Sequence, residues 1–152
     1  MTADLKGRSI ALIVSRFYPD FAERLVEGSV RKYVELGGEP ENLLICDVPG
    51  SFEIPQAAQK MVDCGRFDAV VCLGIVVRGE TPHFDYVCEN VTRGVGQVAL
   101  NSGIPVIFGV LTTESRQQAS DRLGGSKGHK GEQAMVAALE MMKALDQIRQ
   151  LG

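Results

Sequence analysis

Six consecutive residues, Arg78-Gly79-Glu80-Thr81-Pro82-His83, carry the densest chemistry in the chain. His83 is a histidine, the residue type best suited to carrying protons near neutral pH. If a helix begins at this point, its free N–H groups, with Gly79, Glu80 and Thr81 around them, can receive a phosphate. A histidine that follows a proline can equally be a cap or a hydrogen-bond bridge, and residue types alone leave both readings open. Two further residues share this double character. Glu53 can accept hydrogen bonds from ligand hydroxyls, or it can merely answer the positive end of a helix dipole. Phe17 can stack on a flat heterocycle, or it can cover the core as a loop aromatic. Farther along, Arg122, Lys127, His129 and Lys130 place positive charge in and beside a glycine-rich stretch, LGGSKGHKG at 123–131, with no evident link to the others.

The elements that must position these groups follow from periodicity. Residues 69–77 (AVVCLGIVV) are an apolar, β-branched run of the kind buried on both faces of a parallel sheet. From Phe84 the apolar positions become Val87, Cys88, Val91, Val95, Val98 and Ala99, a helical stripe. The six polar residues are therefore the turn between a strand and a helix. The same alternation recurs three times. Residues 8–15 form a strand followed by a helix from Pro19 to the glycines at 37 and 38. Residues 42–48 form a strand followed by a helix opened by Pro55 and closed at Gly65. Residues 105–111 form a strand followed by a short helix over 115–122. A last helix is expected from about 132 to 150, with Ala134, Ala137, Ala138, Met141, Leu145 and Ile148 toward the sheet and Met141 and Met142 as packing residues. Right-handed crossovers then give a three-layer α/β/α sandwich on a four-stranded parallel sheet. The carboxyl ends of its four strands bring Phe17, Ser51 to Glu53, Arg78 to His83 and Leu111 to Glu114 to one edge, where ligands of such sheets bind, and Arg122 and Lys130 do not obviously join them.

Composition narrows the classes. The 152 residues, 45% hydrophobic and 23% charged, fit one globular domain over 1–152, and a net charge of −3 gives no basic field for nucleic acid. No apolar run reaches membrane-spanning length, and the leading MTADLKGRS lacks the features of a secretory signal, so no membrane partner and a cytoplasmic location are expected. The four cysteines, Cys46, Cys64, Cys72 and Cys88, form no CxxC pair and read as buried, reduced thiols. Neither GxxxxGK[ST] nor GxGxxG is present, which disfavours the usual glycine-rich nucleotide turns. No acidic cluster follows the first strand, as a magnesium-dependent receiver would require.

Several long motifs resemble those of the lumazine synthase family of riboflavin biosynthesis. They are SRF at 15–17, VPGSFEIP at 48–55, LGIVVRGETPHFDYV at 73–87, PVIFGVLTTE at 105–114 and GHKG at 128–131, in matching order over nearly the whole chain. The resemblance implies a flavodoxin-like fold. It also implies condensation of 5-amino-6-(D-ribitylamino)uracil with 3,4-dihydroxy-2-butanone 4-phosphate, with loss of phosphate and water and with no metal or organic cofactor. On that likeness Phe17 stacks on the pyrimidine, Ser51, Phe52 and Glu53 bind the ribityl chain, and Val76 and Val77 meet the ring edge. Phe108 borders the pocket, Gly79, Glu80 and Thr81 line the phosphate site, and His83 handles protons. Arg122 pairs with the phosphate and Lys130 approaches the substrate, both reaching the pocket of a neighbouring subunit of a pentamer. A shell of twelve pentamers, sixty subunits, is compatible with the 122–130 loop, whose length does not decide it. Tyr18 departs from the family, which commonly has Asn there. A non-catalytic flavin or lumazine binder and a purely structural shell protein are the rivals, against which the joint presence of Glu53, His83, Arg122 and Lys130 favours the enzyme.

Overall fold

The computed structural model describes residues 4–152. The apolar runs form four parallel strands, β1 (Ile10–Ser15), β2 (Leu43–Val48), β3 (Ala69–Val77) and β4 (Val106–Thr113), in the order β2-β1-β3-β4. Five helices follow the strands as α1 (Pro19–Glu35), α2 (Ile54–Asp63), α3 (His83–Asn101), α4 (Arg116–Asp121) and α5 (Lys130–Arg149). Because alternate strand residues point to opposite faces, the sheet builds two cores. Leu12, Val14, Leu73 and Ile75 meet Phe21, Leu25 and Tyr33 of α1 and Met135 and Leu139 of α5. On the other face Ile13, Cys72 and Val76 meet Ile54 and Ala58 of α2 and Phe84 and Val91 of α3. Each Leu, Ile or Val so enclosed stabilises the fold by about 1.5–3 kcal/mol. The result is the expected three-layer sandwich.

The strand order has one consequence for function. From β1 the chain crosses outward to β2, then returns past β1 to β3, so connections leave the carboxyl ends of β1 and β3 in opposite directions. A crevice opens at that point in doubly wound sheets.

Four features stand out, three of them against the sequence expectations: the glycine-rich stretch, helix α5 and the cysteines. The glycine-rich stretch at 123–131 is a small antiparallel hairpin, β5 (Leu123–Gly125) with β6 (Gly128–His129), turned by Gly124 and Gly128 at φ of 95° and 82°. Helix α5 starts two residues early and buries Ala134, Met135, Ala138, Leu139 and Met142, leaving Met141 41% exposed; its apolar residues lie all round, and the buried stripe sits one position over from the expected one. Strand β2 is the sheet's outer strand, with Leu44 and Ile45 exposed. Of the cysteines only Cys72 is buried, where loss of water pushes its thiol up to about 12; Cys46 and Cys88 are half-buried and Cys64 is exposed. Among the described residues no helix is long and apolar enough to cross a membrane.

Candidate active site

At the carboxyl edge of β1 and β3 lies a cleft of about 610 Å³. Phe17 borders it just past β1, Ser51, Phe52 and Glu53 come from the turn before α2, Val76 and Val77 end β3, and Gly79, Thr81 and His83 lead into α3. Nine of the residues singled out in the sequence thus share one wall-to-wall cavity. The sequence reasoning missed Tyr18, Gly50, Ile75, Phe84 and Val87, which also line it. Phe84 and Val87 belonged to a recognisable helical stripe, and their position within the first five residues of α3 was the available signal.

The three residues with double readings have distinct surroundings. Phe17 is 68% exposed and so does not cover the core; its ring stands edge-on to Tyr18, 5.0 Å between centroids at 79°. Glu53 occupies the cap position of α2 but its carboxylate makes no capping hydrogen bond, which leaves the oxygens available to the cleft. His83 is the first residue of α3, after Pro82, and its side chain bonds to no described residue; only its backbone N–H reaches Thr81 Oγ1, at 3.4 Å. Arg78, by contrast, is committed. Its Nε lies 2.8 Å from Glu114 and its Nη1 3.3 Å from Asp85, with the guanidinium 4.4 Å over the Phe84 ring. That network braces the start of α3 instead of pointing a charge into the cleft.

Two buried hydroxyls bond to no described residue, Ser51 Oγ in the wall of the cleft and Ser15 Oγ at the end of β1. Buried polar atoms are normally paired, so an orphan at a cavity wall marks a place where a ligand or water completes the bond. Both serines crowd Gly74 of β3, where a Cβ would stand 2.7 Å from Ser51 Oγ. Glycine there lets Ser51 sit down on the sheet. The turn is tied from the other side by Asn90 of α3, which donates to the Phe52 carbonyl at 3.0 Å. Asn90 was invisible as a site residue because it acts only through that carbonyl.

Four expected site residues do not line this cleft. Glu80 is exposed on the turn beside it. Phe108 pairs with Cys72, five residues back from Val77 and so about 16 Å down the strand, half-buried against the α2 and α3 face. Arg122 and Lys130 lie at the two ends of the β5–β6 hairpin, off the sheet. Neither pairs with a carboxylate among the described residues, whereas Arg16, Arg78, Arg116 and Lys32 all do.

That hairpin is clamped to α1. Arg24 donates to the carbonyls of Leu123 (2.6 Å) and Ser120 (3.2 Å), and Lys130 N–H donates to the Arg122 carbonyl at 2.8 Å. His129 caps α5, its Nδ1 accepting from the N–H groups of Gly131 (3.1 Å) and Glu132 (3.4 Å). Its ring lies so close to α1 that only a glycine fits at position 28. Desolvation lowers the His129 pKa below the ordinary value, assisted by Arg31 and Arg24 and opposed by Glu132. The neutral ring is also the one that can accept. Because the folded state holds its proton less tightly than the unfolded chain, this cap is complete above pH of about 6.5 and is lost as pH falls. Wild-type protein is therefore expected to lose up to about 1 kcal/mol more between pH 7.5 and pH 5.5 than His129→Asn, which caps without titrating; the ring's partial exposure makes that an upper value. Thermal unfolding of both at the two pH values measures it, and parallel curves would remove the cap from the account.

An α/β sheet with an aromatic lip, an orphan hydroxyl and the start of a long helix around a crevice at its switch point places the protein in the class of doubly wound α/β proteins with a ligand cleft at the carboxyl edge of the sheet. A sequence model of 6,7-dimethyl-8-ribityllumazine synthase matches residues 7–146. A protein of that name from Desulfatibacillum aliphaticivorans is 42% identical over 148 residues, covering 97% of this chain and 96% of that one. The chain belongs to the 6,7-dimethyl-8-ribityllumazine synthase family.

Proposed function

We propose that this protein is a 6,7-dimethyl-8-ribityllumazine synthase, a transferase that condenses 5-amino-6-(D-ribitylamino)uracil with 3,4-dihydroxy-2-butanone 4-phosphate and releases phosphate and water. The observation that carries the reading is the convergence of Phe17, Glu53 and His83, from three separate segments, on one cleft. Phe17 stacks on the pyrimidine while Val76 and Val77 meet its edge. Ser51, Phe52 and Glu53 take the ribityl hydroxyls, the orphan Ser51 hydroxyl among them. Gly79, Glu80 and Thr81 present the start of α3 to the phosphate. The amine of one substrate and the ketone of the other form an imine with loss of one water; loss of a proton and of phosphate leaves an enol, which tautomerises to a ketone; the second nitrogen attacks that ketone and closes the ring with loss of a second water. His83 ferries protons between these steps.

The cation for the departing phosphate comes, on this reading, from a neighbouring copy. Among the described residues Arg122 and Lys130 have no carboxylate partner, both stand outside their own cleft, and Phe108 is half-buried on the sheet's other outer strand, β4. The bare β2 edge and the exposed Leu44, Ile45 and Met141 are surface that a symmetric ring would cover. A pentamer, or a shell of pentamers, follows as the working form, in a cytoplasm that keeps thiols such as Cys64 reduced. Mixing the purified protein with both substrates should produce lumazine absorbance that requires both. Tight lumazine binding without turnover would instead support the carrier reading, and neither binding nor turnover would leave a shell protein.

A further inference from the structure

We propose that Tyr18, backed by Arg116, is a positioning residue that holds the Phe17 ring upright for the flat heterocycle. The proposal rests on the reading that Phe17 stacks on the pyrimidine. Phe17 protrudes into water at the lip of the cleft, and the ring that touches it is Tyr18, edge-on at 5.0 Å. An aromatic so exposed would otherwise sample several rotamers, and each would have to be given up when substrate bound. Tyr18 is itself fixed. It is half-buried against the α1 and α5 core, its carbonyl accepts from Ala22 N–H at 2.9 Å to begin α1, and its ring leans on Phe21 at 5.9 Å.

Arg116, at the start of α4, closes the stack from behind. Its guanidinium stands 5.2 Å from the Tyr18 centroid and 4.6 Å from that of Phe21, and Asp20 sits 3.6 Å from its Nη2. The chain thus builds a file of three rings and one cation, anchored in the core at Phe21 and ending in the free face of Phe17. The Tyr18 hydroxyl bonds to no described residue, so the ring and not the hydroxyl is the working part.

The test is steady-state kinetics of the assembled enzyme with each substrate varied separately. Tyr18→Leu is expected to raise the KM for the ribityl-pyrimidine about three- to tenfold and to leave kcat and the KM of the phosphate substrate within about twofold. Tyr18→Phe, which keeps the edge-on contact, should restore the wild-type value. Arg116→Met, which removes the cation and leaves every ring, should raise the same KM about two- to fivefold. In a Phe17→Ala background the effect of Tyr18→Leu should vanish. The proposal is overturned if Tyr18→Phe is as poor as Tyr18→Leu, if both KM values rise together, if Arg116→Met is silent, or if the Phe17→Ala background leaves the Tyr18 effect intact. A silent Phe17→Ala removes the stacking reading itself and this proposal with it. An impaired Phe17→Ala beside a silent Tyr18→Leu removes the proposal alone.

Discussion

Replacing Arg122 by alanine is expected to raise the KM for the phosphate-bearing substrate about 10- to 150-fold while the KM for the ribityl-pyrimidine stays within about twofold. The range corresponds to about 1.5–3 kcal/mol for hydrogen bonds to a charged group. Arg122 is suited to the role because so little of it is used at home: one Nη1 bond to the Gln118 carbonyl at 2.9 Å, at the end of α4. The rest of the guanidinium fork is free for an oxyanion, and its removal leaves no carboxylate stranded. The substitution should therefore damage binding without damaging the fold. A complementation experiment decides which chain's cleft it serves. Arg122→Ala and Glu53→Ala chains, each weak alone, are unfolded together and reassembled in equal amounts. In a head-to-tail ring each site joins one chain's cleft to the next chain's arginine, so about a quarter of the sites regain both. If the mixture is no more active than its components, Arg122 acts in its own chain and the composite site is wrong.

The proposal of a site shared between chains also bears on what could be read from the sequence. In a parallel α/β sheet the turns after successive strands fall on one edge by topology, so Phe17, Ser51 to Glu53 and Arg78 to His83 could be gathered from the sequence, while Leu111 to Glu114, gathered on the same ground, lie outside the cleft and Val76 and Val77 came from the resemblance. Period alone found β3, because nine consecutive apolar residues between polar turns have few alternatives. The hairpin at 123–129 escaped for the opposite reason: strands of three and two residues have no period, and their pairing depends on Gly124 and Gly128 adopting positive φ. The start of α5 was placed late because His129 is an uncommon cap, accepting through a ring nitrogen where serine or aspartate would use oxygen. Its buried face was misplaced because apolar residues occur on both sides, Met135, Leu139 and Met142 inward and Met141 and Ile148 outward. Motif resemblance supplied Arg122, Lys130 and Phe108, which no property of one chain's cleft would have gathered.

Removal of the His83 imidazole, in His83→Ala, is expected to lower kcat by about 10²-fold, with measurable turnover remaining and both KM values close to wild type. The expectation rests on weighing two effects. A single well-placed acid or base contributes about 10²–10⁴-fold, equivalent to about 2.7–5.5 kcal/mol. Holding two reactants face to face contributes about 7–11 kcal/mol, and nothing in that term depends on the imidazole. Water in the open cleft can carry protons in place of the imidazole, so the cleft is expected to retain most of its advantage when His83 is gone. The residue's surroundings make this a clean measurement, for its side chain bonds to no described residue and α3 is braced instead by Arg78 against Glu114 and Asp85. A fully inactive His83→Ala with normal binding of both substrates would overturn the ordering, since it would mean that proton transfer and not juxtaposition supplies the larger share of the rate.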